Sequence, residues 1–247
     1  MKNKLVWVCS VVVALLVVGY ISAVFFLGSI VKVAVNRFGP ALTQTKFELA
    51  SASLSPLSGS GTLSGLFVGN PQGWSSDKAF YLTKVHVEVV PSSIFSDHIV
   101  VNEITIDGPE FVYETKVVAS NIGDLLKNIQ KGAGGEGAAP EPVAKNGNPL
   151  KLEVKRFRLA NGRVTLGVGT AAITLPMPPV SLDNLGASEG GITSGQLALA
   201  VMRSVTTSIV AATTQAAGKV GSTMGAAAGN ATKSADNAVE SLLGKKN

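Results

Sequence analysis

Residues able to do chemistry are scarce in this chain. Among 247 residues there are two histidines, His86 and His98, and one cysteine, Cys9. Ser96-Asp97-His98 offers the three residue types of a hydrolytic triad. Three consecutive residues do not make that relay, which needs nucleophile, base and orienting acid to converge in space. His86 shares its parity with Lys84 and Glu88 and reads as a solvated side chain. Asp107 and Glu110 flank Gly108-Pro109, and acids beside a turn ordinarily bond locally. Gly132-Ala133-Gly134-Gly135 and Gly167-Val168-Gly169 lack the strand–loop–Lys–helix context of a phosphate loop. Asn230-Ala231-Thr232 matches a glycosylation sequon, which matters only in a eukaryotic secretory route. A single cysteine excludes a disulfide framework and a multi-thiolate metal site. The expectation is a non-enzymatic protein with no catalytic residue, no metal and no cofactor.

The elements carrying these residues begin with an apolar segment. Hydrophobic residues make up 46% of the chain and charged residues 15%, with a mean hydropathy of +0.33. Soluble domains carry about 25% charged residues. Leu5 to Val31 contains no charge at all. Its length exceeds the ~20 helical residues needed to cross a bilayer, and the ~7–15 of a cleavable signal's apolar region. Lys2 and Lys4 precede it, and Lys32 and Arg37 follow. These four account for nearly all of the net charge of +5, since the remaining 17 basic residues face 16 acidic ones. The basic pI therefore marks an anchor and not a nucleic-acid-binding face. Cys9 follows no lipobox and reads as a small apolar residue of the span. The positive-inside comparison leans to a cytoplasmic amino terminus, with Phe38–Asn247 beyond the membrane.

Past the anchor the dominant period is two. Val85, Val87 and Val89 alternate with polar neighbours, as do Leu150, Leu152 and Val154. Beyond Val154 the phase slips by one to Phe157 and Leu159, which predicts a bulge or bend. Asn161-Gly162, lying between Phe157/Leu159 and Val164/Leu166/Val168, predicts a type I′ hairpin. Asn121 is a candidate cap for a short helix bearing Ile122, Leu125, Leu126 and Ile129. Leu197, Val201, Val205 and Ile209 recur every fourth residue and predict an amphipathic helix.

The strands also repeat. A shift of 53 residues pairs Ile99, Val101, Ile104, Ile106, Phe111 and Tyr113 with Leu152, Val154, Phe157, Leu159, Val164 and Leu166. A shift of 38 pairs Val101, Ile104, Ile106, Gly108 and Pro109 with Leu63, Leu66, Val68, Asn70 and Pro71. Repeated strands of this kind stack into one sheet. The expected fold is α+β: one transmembrane helix, then a curved, mostly antiparallel sheet of repeated strands covered by short helices. Its parts are an anchor over 1–37, β repeats with a short helix over 38–131, and a flexible linker or loop over 132–149. A further β repeat follows over 150–190, then an amphipathic helix over 191–217 and a Gly/Ala-rich helical or disordered tail over 218–247.

GTLSGLFVGNPQGW (61–74), LTKVHVEVVPSSIFSDHIVVNEITIDGPEFVYE (82–114) and SNIGDLLKNI (120–129) together resemble AsmA-like envelope proteins. LPMPPVSLDNLG (175–186) resembles the end of that family's short members. The resemblance implies an inner-membrane anchor, a periplasmic domain, and a part in lipid transport or homeostasis or in outer-membrane assembly. It also implies phospholipid in an apolar groove and an envelope protein partner. The groove positions would be the equivalent residues of the repeats, Leu66, Val68, Ile104, Ile106, Phe157 and Leu159, which a sealed core would bury instead. The chain is too short for the elongated groove of long members. A weaker resemblance, through the Val-x-Asn-Pro strand end, is to the late-embryogenesis-abundant type 2 sandwich, implying a structural or protein-interaction module.

Overall fold

The computed structural model describes residues 2–134, 138–144, 146–169 and 172–216. The expected tail over 218–247 and its sequon lie outside the described residues. Helix α1, Lys2–Thr43, continues six residues past the expected end of the anchor. At 1.5 Å per residue its 42 residues reach about 63 Å, twice a hydrocarbon core. Its window from Val6 has a mean hydropathy of 2.6 and is long and apolar enough to cross a membrane. The helix stops where Gln44 adopts φ 54°, with the Gln44 N–H donating to the Pro40 carbonyl at 2.9 Å.

Its carboxyl-terminal half lies along strand β1, Phe47–Leu54, running in the opposite direction. Asn36 binds this open strand edge as another strand would. Its Oδ1 accepts from the Leu49 N–H at 2.6 Å, and its Nδ2 donates to the Leu49 carbonyl at 3.2 Å. Two glycines allow the close approach. A Cβ on Gly28 would collide with the Ala52 carbonyl, and one on Gly39 with the Phe47 ring.

The strands form one mixed sheet of nine segments among the described residues. β1, β2 (Ser60–Gly69) and β3 (Lys78–Val89) make an antiparallel meander. β3 is long enough to carry two strands in line on its other edge. β4 (His98–Asp107) pairs with Val85–Val89, and β5 (Glu110–Tyr113) with Phe80 and Tyr81. α2 (Asn121–Gly132) and the following loop cross over to β6 (Lys151–Ala160) and β7 (Arg163–Leu166). These run parallel to β4 and β5. β8 (Ile173–Pro176) and β9 (Val180–Leu185) complete the edge, antiparallel to β7 and β6.

The expected hairpin at Asn161-Gly162 is therefore a correction. β6 and β7 do not pair with each other but continue in one direction, broken beside the matching break at Gly108-Pro109. A type I′ turn needs positive φ at both central residues, whereas here only Asn161 has it, at 55°. Gly108 has 61° at the equivalent place. The ladder runs through both breaks: the Gly108 N–H donates to the Ala160 carbonyl at 3.0 Å, and the Arg163 N–H to the Pro109 carbonyl at 2.9 Å. One left-handed residue in each strand re-phases the alternation, so Leu159 and Val164 are both buried despite their odd spacing.

All six pairs of the 53-residue shift are Cα partners in these parallel ladders. The 38-residue shift is not a sheet register. Across β3, Leu63 lies opposite Ile106 and Val68 opposite Phe111. The phase slip after Val154 leaves Lys155 and Arg156 both exposed. It carries no register shift against β4 or β9, because β4 slips in step, and the bulge falls instead in the β3–β4 ladder at Glu88/Val89.

The core is made where the helices meet the sheet. α2 contributes Ile122, Leu125 and Ile129, capped by Ser120, whose Oγ accepts from the Gly123 N–H at 3.0 Å. Ser120 therefore holds the place expected of Asn121. Helix α3, Ser194–Ala216, contributes Met202, Val205 and Ile209. Its mean hydropathy of 1.4 satisfies the length-and-composition test for a span, but its buried stripe lies in the core. The loop expected to be flexible is tied down in its described parts, by the Ala139 N–H on the Gly132 carbonyl and the Leu150 N–H on the Pro142 carbonyl.

Candidate functional site: an apolar cavity beneath helix α1

The structure does not assemble the residues that suggested chemistry. Ser96 Oγ lies 2.5 Å from the His98 carbonyl and 2.9 Å from the Ser93 carbonyl, bonding backbone and not the imidazole. Asp97 accepts from Asn146, while His98 lies 3.5 Å from Glu153. His86 is half exposed, 3.8 Å from Glu88. Asp107 accepts from the Asn161 side chain at 2.6 Å, and Glu110 pairs with Lys78 at 3.0 Å. Among the described residues no three His, Cys, Asp or Glu side chains gather as a metal site.

What the fold does build is an apolar cavity of about 270 Å³ between α1, α3 and the sheet. Val35, Phe38, Gly39 and Leu42 of α1 form one wall, and Ala198, Val201, Met202 and Val205 of α3 form another. The floor is Leu66, Phe80, Leu82, Ile106, Phe111, Phe157 and Leu159, with Phe47 and Ile129 at the sides. Thr43 is the one hydroxyl in the lining, and its proton is spent on the Gly39 carbonyl at 2.8 Å. A cavity of about 150 Å³ lined this way stays dry and takes up benzene, and sites for drug-sized ligands begin near 300 Å³. This one suits a single alkyl chain segment and offers nothing to a polar ligand.

Of the six groove positions expected from the sequence, Leu66, Ile106, Phe157 and Leu159 line this cavity. Val68, fully buried, and Ile104, partly buried, belong to the adjoining core. The contribution of α1 was not legible in the sequence. Val35, Phe38 and Leu42 recur at helical spacing past Lys32, where the charge-free run ends, and that period is the signal that points to them.

A second cluster locks the end of the site near α2. Glu114 is 7% exposed, and among the described residues it forms no ion pair. Its Oε2 accepts from the Ser75 N–H at 2.9 Å, and its Oε1 from the Ser76 N–H at 2.8 Å and Asn70 Nδ2 at 3.1 Å. Fully buried Asn121 donates to Asn70 Oδ1 and to the Val112 carbonyl, each at 2.8 Å, and accepts from the Glu114 N–H at 3.0 Å. The Asn-Pro-x-Gly-Trp segment thus closes on the β5–α2 junction. Trp74 reaches Asp124 at 3.2 Å, under the Lys116 ammonium 4.6 Å from its ring centroid. The hydrogen bond from Lys127 holds the Asp124 carboxyl below its usual range, burial opposing it and the Trp74 N–H assisting. The aromatics do not share one environment: Phe80, Phe111 and Phe157 are buried, whereas Phe95 is 67% exposed.

Comparison with protein-family models, with curated proteins and with solved structures finds no match for this chain.

Proposed function

We propose that this is a non-enzymatic, single-pass envelope protein that holds one acyl chain of a membrane lipid in the cavity beneath α1. The observation that carries the reading is the shared helix: the cavity wall of Val35, Phe38 and Leu42 continues the same α1 whose first part is apolar enough to cross a bilayer. Each methylene held in such a site is spared the exposure to water that would cost about 0.8 kcal/mol. The size of the cavity favours holding one lipid over forming a continuous conduit. In this reading the amino terminus lies in the cytoplasm, the anchor in the inner membrane and the sheet in the periplasm, serving lipid transport or homeostasis or outer-membrane assembly. An AsmA-like affiliation agrees with the Asn-Pro-x-Gly-Trp clasp but rests on motif resemblance.

A second reading, a structural or protein-interaction module, draws on Val117 and Val118. Both are almost fully exposed, at 101% and 95%, on the β5–α2 loop. An envelope protein partner would cover them there.

The test is native mass spectrometry of the detergent-solubilised full chain under progressive delipidation. One lipid should remain per chain after the annular lipids are stripped, and Ala198→Trp, which fills the cavity, should abolish its retention. Complete delipidation of the wild type in the same steps as the variant would refute the reading.

A further inference from the structure

Helix α1 is continuous from its apolar run into the sheet contact, so the depth of the anchor sets the height of the sheet. Tyr20 Oη lies 3.0 Å from Ser55 Oγ at the end of β1. With Lys2 and Lys4 at the cytoplasmic face, Tyr20 sits about 22 Å up an upright helix, about 8 Å short of the far edge of a ~30 Å hydrocarbon core. Tilting the helix lowers it further. The hairpin tip that Tyr20 touches is therefore at membrane level.

The composition of that end of the sheet agrees. The β1–β2 turn, Ser55-Pro56-Leu57-Ser58-Gly59, carries no charge, and the β3–β4 loop over 90–97 carries a single one, Asp97, where it enters β4. The two are neighbours, since the Val89 N–H donates to the Gly59 carbonyl at 2.9 Å. Each presents one large apolar side chain outward, Leu57 at 76% exposure and Phe95 at 67%.

Their polar groups are largely closed on themselves. The Ser55 N–H donates to Ser60, and the Gly59 N–H to Ser55. In the second loop the Ser93, Ile94 and Ser96 N–H groups donate to the Val90, Pro91 and Ser93 carbonyls, and the Ser93 hydroxyl donates to Val90. Pro56 and Pro91 have no N–H to satisfy. Backbone groups closed on themselves lower the cost of moving these loops out of water.

We infer that the β1–β2 and β3–β4 tips insert Leu57 and Phe95 into the outer boundary of the bilayer that holds α1. The sheet is thereby held against the membrane. Interfacial elements bury their apolar faces about 5–10 Å deep, matching the depth set by Tyr20. This rests on the reading of α1 as a membrane span.

The experiment uses the full chain in phosphatidylethanolamine/phosphatidylglycerol liposomes. An environment-sensitive fluorophore is attached at native Cys9 or, in a Cys9→Ser background, at Leu57→Cys, Phe95→Cys or Val117→Cys. Quenching is measured by aqueous iodide and by lipids bearing a shallow acyl nitroxide. Labels at 57 and 95 should be quenched by the nitroxide lipid and shielded several-fold from iodide, and the label at 117, at the other end of the sheet, should behave oppositely. If Cys9 is lipid-quenched while 57 and 95 are as open to iodide as 117, the docking is wrong and the anchor stands. If Cys9 is itself open to iodide, the anchor reading fails and takes the docking with it.

Discussion

Glu114 is a buried acidic side chain on which three donors converge. Removing the acceptor leaves part-buried N–H groups to be re-paired by water or left unpaired, the latter at about 1–3 kcal/mol for a buried group. Glu114→Ala should accordingly destabilise the domain by about 2–4 kcal/mol in denaturant unfolding of the detergent-solubilised chain, and Glu114→Gln by less, since one oxygen remains to accept. Equal stability of all three proteins would contradict the clasp. Glu103 gives a pH signature. The hydrogen bond from Arg156 at 2.9 Å lowers its carboxyl below the ordinary 4.5, against burial and with help from the Arg156 charge and the Thr105 hydroxyl. A depressed carboxylate stabilises the fold above the unfolded value and loses that contribution as pH falls through the folded one. Acidification below about pH 4.5 should therefore lower the melting midpoint of the wild type more than that of Glu103→Gln. A parallel fall in both would show that the pair contributes nothing. Neither residue was legible as special beforehand: a glutamate ending a strand looks solvated until the loop that closes over it is seen.

At the scale of elements the instructive case is Asn161-Gly162. Asn-Gly between two alternating apolar runs is the strongest short-range hairpin signal. It misleads here because a left-handed residue in mid-strand has the same local requirement, and only long-range pairing separates the two outcomes. The 53-residue repeat contained that information, since Gly108-Pro109 stands in the same place in a strand that does not turn back. The two geometries differ in which residue is sensitive. Asn161→Ala should cost about 1–2 kcal/mol for its left-handed backbone, plus the bond to Asp107. Gly162→Ala should cost less, about 0.5–1 kcal/mol, because its Cβ would meet only Met177 and Pro109 side-chain atoms at 3.1–3.4 Å. Thermal melts of the two variants check the order, and a reversed ranking would restore the hairpin. The helices were readable from their stripes, and the strands from their alternation. The parallel crossover and the reach of α1 along β1 were not, because both depend on contacts between residues distant in sequence.

The whole molecule is organised around α1, which is apolar enough to cross a membrane, closes the edge of the sheet through Asn36 and roofs the cavity. The proposed topology rests on the charges flanking its apolar run, Lys2 and Lys4 before and Lys32 and Arg37 after: an enzyme active only in the cytoplasm, fused after Asn247, should be inactive, and its activity would overturn the orientation. The arrangement around α1 explains why the expected groove lacked its helical walls, while four of its six positions line the cavity. Strand periodicity points to Leu66, Ile106, Phe157 and Leu159, but not to the helix that covers them. The central claim is that lipid enters the cavity itself and does not merely surround the anchor. Photo-crosslinking with a phospholipid carrying a diazirine near the end of one acyl chain, in native membranes, with peptide mapping by mass spectrometry, tests this most directly. Adducts on sheet residues such as Ile106, Phe157 or Leu159, lost in Ala198→Trp, are the predicted result. Adducts confined to the span between Leu5 and Val31 would contradict it.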